Sequence, residues 1–130
     1  MPGWGSGSFD NEEAQNFLSR LKSVGADDLK QMLVDASDRD YLGAPESSVA
    51  IAVAEIVATA RGNPPQAVPS QIAEWVSKIE GAPSSEMSEL ARRAVYKVRT
   101  NSELKDLWLE AEGLNEWSAA LRDLEERLSG

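Results

Sequence analysis

The sequence contains no cysteine and no histidine. The first absence excludes disulfides and thiolate metal sites. The second removes the usual general base, the Ser-His-Asp arrangement and the common imidazole zinc site. Long hydrophobic runs are also missing. The longest, Val49 to Ala54, is too short to span a bilayer, so no membrane association is expected. The opening Met1-Pro2-Gly3-Trp4 lacks the basic and apolar stretches of a secretory signal, which makes the cytoplasm the expected location. Positive charge is scarce: 13 Lys and Arg stand against 22 Asp and Glu, for a net charge of −9. The excess is spread evenly, with ten acids against five bases in residues 1–65 and twelve against eight in residues 66–130. Such a chain repels phosphate backbones, and no nucleic-acid binding is expected. A basic protein partner fits the charge, and so does plain solubility.

What the sequence does have is helical periodicity. Apolar residues recur at i, i+3, i+4 and i+7 in six segments: Ala14/Phe17/Leu18/Leu21, Leu29/Met32/Leu33/Ala36, Ile72/Trp75/Val76/Ile79, Met87/Leu90/Ala91/Ala94, Leu104/Leu107/Trp108/Ala111 and Trp117/Ala120/Leu121/Leu124. Each puts one apolar stripe on one helical face. Alternating runs of strand type, bounded by turn residues, are absent. The punctuation agrees with the stripes. Asp10 and Glu13 have the spacing of a capping box, and Gly25 can stop the first helix. Pro45 and Pro69 suit first helical turns, Gly62 a helix end, and Ser84 or Ser85, Ser102 and Asn115 N-caps. A further segment, about Pro45 to Arg61, is apolar all round from Val49 to Ala54. A helix without a polar face belongs at the centre of a bundle. The expectation is therefore a single all-α domain over residues 1–130: about seven short helices around a central Ala-rich helix at about 45–61. Residues 1–9 form a Gly-rich turn expected to dock on the bundle, and 62–69 is too Pro-rich to be helical.

The most distinctive stretch is Trp4-Gly5-Ser6-Gly7-Ser8-Phe9-Asp10-Asn11. Glycines running into a helix N-terminus suggest a phosphate cradle. Against that, no strand precedes it, no Lys or Arg lies near, and Asp10, Glu12 and Glu13 already occupy the positive end of the helix dipole. A turn that tucks Trp4 and Phe9 onto the bundle is the simpler reading, with ligand or partner binding as the functional one. The run resembles the opening of a bacterial family, domain of unknown function 4259, which begins Met-Gly-x-Trp-Gly-x-Gly-x-Phe-Asp-Asn-Asp. That family also has an Ala-rich helix introduced by Tyr-Leu-x-Ala, like Tyr41-Leu42-Gly43-Ala44 followed by Ala50-x-Ala52-x-Ala54-Glu55 here. Pro2 before Gly3 and Glu12 in place of Asp depart from the pattern. The resemblance covers most of the chain, and only the opening is specific. It implies a fold and no mechanism.

Two carboxylates stand out on the central helix. At 100° per residue, Glu46 projects among Val49, Ala50 and Val53, and Glu55 between Ile51 and Thr59. A Glu against apolar surface is perturbed unless paired, and perturbed acids gather at functional sites. The structural alternative is that Glu46 satisfies first-turn N–H groups and Glu55 meets an Arg or a Trp N–H. Asp38-Arg39-Asp40-Tyr41-Leu42-Gly43 has part of a calcium-loop pattern, but Leu42 and Val49 fall where oxygen ligands are needed. Arg92, Arg93, Lys97 and Arg99 form the one basic cluster and are expected on a solvated helix face. Trp75, Trp108 and Trp117 occupy core-type positions.

The functional expectation is a non-enzymatic protein-interaction or structural domain, without cofactor or metal, for which a basic protein is a possible partner. The alternative is a carboxylate-based hard-metal or small-molecule binding protein or enzyme using Glu46 and Glu55. Trp4, Phe9, Asp10, Asn11, Glu46 and Glu55 are the candidate binding residues in either case.

Overall fold

A computed structural model describes Phe9, residues 11–79 and residues 81–129. Seven α-helices follow one another: α1 (Glu12–Ser19), α2 (Ala26–Asp38), α3 (Ala44–Ala60), α4 (Ser70–Lys78), α5 (Ser85–Thr100), α6 (Glu103–Glu110) and α7 (Leu114–Ser129), with a 3-10 turn at Leu21–Ser23 between α1 and α2. Among the described residues there is no strand, only an isolated parallel bridge between Leu42 and Ser102. None of these helices is long and apolar enough to cross a membrane.

The all-round apolar segment is the centre. Every residue of α3 from Ala50 to Ala58 is buried, as are Ser47 and Ser48, and α3 touches each of the other α-helices. Alanines at 50, 52, 54 and 58 keep its surface low, so neighbouring helices pack close to its backbone. The six stripes face this rod. All four residues of the first are buried, Leu21 among them although it stands in the 3-10 turn, while in the α4 stripe only Ile72 is fully buried. At the end of α3, Gly62 takes a φ of +92°, and the N–H groups of Gly62 and Asn63 donate to the carbonyls of Thr59 and Ala58. That is a glycine-terminated helix end of Schellman type, in the left-handed region where a β-carbon is disfavoured.

Four boundaries differ from the sequence expectation, the smallest being Pro69, which is the N-cap of α4 and not a residue of its first turn. The α1 N-cap is Asn11, whose Oδ1 accepts the Ala14 N–H at 2.8 Å. Asn11 offers the same capping oxygen as its neighbour Asp10, and the stripe alone does not separate them. Gly25 does not end the first helix. It opens α2 as the N-cap, and Asp28 reaches back to its N–H at 2.9 Å. Asn115 lies inside α7, because Gly113 fixes the turn before it. A β-carbon on Gly113 would meet the Trp108 ring at 2.7 Å, so the chain passes against the indole only without a side chain.

Candidate functional site

The expected site residues fall in three places. Trp4 and Asp10 lie outside the described residues. Phe9 is partly buried against the core and its carbonyl accepts from Gln15 Nε2 at 2.8 Å, while Asn11 serves as the α1 cap. Glu46 and Glu55 share α3 but are nine residues apart, about 13 Å along the axis. They belong to different surroundings.

Glu55 is buried and paired. Arg127 of α7 approaches it two-pronged, Nη1 to Oε1 at 2.7 Å and Nη2 to Oε2 at 3.2 Å. The same guanidinium donates to Asp123 Oδ2 at 2.9 Å, and Asn63 Nδ2 donates to the Arg127 carbonyl at 2.9 Å. Burial works to lower the Arg127 pKa, but the hydrogen bonds and charges of Glu55 and Asp123 outweigh it, and the guanidinium titrates above its ordinary value. Glu55 therefore meets an Arg, and the pair ties the end of α3 to α7. This is a structural arrangement with its donors and acceptors already engaged.

Glu46 is exposed, whereas helical projection set it against apolar neighbours. As the third residue of α3 it swings out over the N-cap, where its carboxylate lies against Gly43. It still borders apolar surface. With Asp35 it lines a cleft of about 330 Å³ between α2 and α3, floored by Met32, Ala36, Leu42 and Val49, with Arg39 also on the lining. The segment between α2 and α3 is clasped to the α5–α6 junction. Leu42 O accepts the Glu103 N–H at 2.8 Å, Glu103 Oε1 accepts the Ala44 N–H at 2.7 Å, and Asp40 O accepts from Asn101 Nδ2 at 2.7 Å. Tyr41, half exposed, donates its hydroxyl to Asp106 Oδ2 at 2.5 Å. The hydrogen bond to Asp106, with some desolvation and the nearby Asp106 and Glu103 charges, pushes the Tyr41 pKa up to about 12. Asp35, Glu46 and Arg39 thus carry the charge of the cleft lining, and Leu42, which also lines it, is tied through its carbonyl to Glu103 at the start of α6.

Asp35, Tyr41, Glu103 and Asp106 were missed from sequence. Tyr41 and Asp106 are 65 residues apart, and no local pattern reports such a pairing. No three acidic side chains among the described residues converge as metal ligands would. The basic cluster divides: Arg92 and Arg93 pair with Glu89 on the surface, whereas Arg99 leaves the solvated face and meets Glu125 of α7 at 2.6 Å, both largely buried. Trp108 and Trp117 are core residues as expected, and Trp75 is partly buried.

No curated protein and no solved structure matches the chain. A family model does, over residues 3–120, and its span takes in both the Gly-rich opening and the whole α2–α3–α6 corner. The chain belongs to the family described as domain of unknown function 4259.

Proposed function

We propose that this domain is a non-enzymatic protein-interaction module that receives a basic segment of a partner protein in the α2–α3 cleft. One observation carries the reading: an apolar cleft of about 330 Å³ on whose lining the Asp35 and Glu46 carboxylates outnumber the single cation, Arg39. An apolar floor supplies contact area, and an excess of negative charge on the lining selects the partner and speeds encounter. The net charge of −9 extends the same preference beyond the cleft. The tie from the Leu42 carbonyl to the Glu103 N–H supports it further, because a lining residue already held in place loses little freedom on binding.

The test compares proteins retained from lysate by the wild-type chain and by the double variant Asp35→Lys/Glu46→Lys. At low ionic strength the wild type retains a basic protein that the double variant releases, and moderate salt weakens retention. Equal retention by both would remove the cleft from the account.

A further inference from the structure

A second concave surface has the opposite local charge. It lies between the α1 end with its 3-10 turn and α4, shares no lining residue with the α2–α3 cleft, and has a volume of about 450 Å³. That volume is in the range of small-ligand sites. Its floor is apolar: Leu18, Leu21, Val24, Trp75 and Ile79. The Trp75 ring is preset, since its Nε1–H donates to the Val24 carbonyl at 2.8 Å. Next to it a further cavity of about 330 Å³ reaches Ile56, Val57 and Met87. Trp75 and Ile79 line both, so the apolar surface continues behind α4.

The lining charges are Lys22, Lys78 and Glu74, a local excess of one cation in a chain of net charge −9. Lys78 Nζ sits 2.9 Å from Glu74 Oε1, and Lys22 makes no ion pair among the described residues. The hydrogen bond and charge of Lys78, aided by Lys22, hold the Glu74 carboxyl below the usual range, so Glu74 is ionised at neutral pH and competes for both lysines. An acidic or cationic occupant is thereby distinguished. A cation meets two ammonium groups, whereas an anion with an apolar tail finds a greasy floor and lysines at its edge.

We propose that this groove binds an amphipathic monocarboxylate, its chain against Trp75 and its carboxylate at Lys22 and Lys78. Calorimetric titration of the full chain with decanoate, and with decanamide as the uncharged counterpart, tests it. Decanoate binds saturably and more tightly than decanamide. Lys22→Met and Lys78→Met each weaken decanoate roughly 2- to 5-fold, the reach of an exposed charge contact. Glu74→Gln tightens it, because the competitor for Lys78 is gone, and none of the three moves decanamide. Absence of saturable decanoate binding overturns the proposal. So does a decanoate affinity equal to that of decanamide and indifferent to the lysines.

Discussion

Glu55 shows what a charged residue does on a rod that is otherwise apolar. Its side chain is 4% exposed and its partner Arg127 18%, so removing Arg127 takes the two-pronged partner from a buried carboxylate, and removing Glu55 leaves Arg127 only the exposed Asp123. Glu55→Gln or Arg127→Met should cost about 3–5 kcal/mol in urea unfolding, and the double replacement Glu55→Met/Arg127→Met should recover most of that loss. Tyr41 provides a pH signature. Its folded pKa of about 12 stands above the ordinary tyrosine value of 10.0, so between these pH values the unfolded chain gives up the phenolic proton first. The clasp's contribution is intact below pH 10 and is lost as pH rises through 12. An ultraviolet titration of tyrosinate should show one late-ionising tyrosine that Tyr41→Phe removes. At this scale the sequence was half legible. Rotation about α3 marked Glu55 as needing a partner, and an Arg was one of the two candidates. Which Arg it was depended on α7 returning to α3, and that is fixed by tertiary packing. Glu46 pointed outward because a long flexible side chain in a first helical turn reaches water easily, even above apolar neighbours.

Helices were legible wherever a stripe was buried. Periodicity located six, since burial against a common centre demands an apolar face whatever the connecting geometry, and the all-round apolar run located the seventh, α3. The ends were less so. Asn11 and Asp10 offer equivalent caps, and Gly25 suits a stop as well as a start. α4 is the exception in packing: of its residues Ile72 alone is fully buried, and Trp75 lines two cavities. Few buried contacts mean a low local opening energy. Hydrogen exchange should therefore expose α4 amides well before those of α3 and α5. Protection of α4 equal to that of α3 would show that the cavities cost it nothing.

Across the whole molecule, six helices enclose one, and the charge they carry outward is negative with local exceptions. The two concave surfaces differ in the sign of their excess charge: Asp35 and Glu46 outnumber Arg39 on one, and Lys22 and Lys78 outnumber Glu74 on the other. Neither was visible in sequence, because each joins residues from separate helices whose spacing follows from how they cross. Only Glu46 marked its cleft beforehand. The functional account rests on the acidic one. Its most direct test is a backbone amide nuclear magnetic resonance titration with a short peptide of leucines flanked by lysines. The account predicts chemical-shift changes centred on Met32, Ala36, Leu42 and Val49 that vanish in Asp35→Lys/Glu46→Lys. Shifts scattered over the surface, or unchanged in that variant, would contradict it.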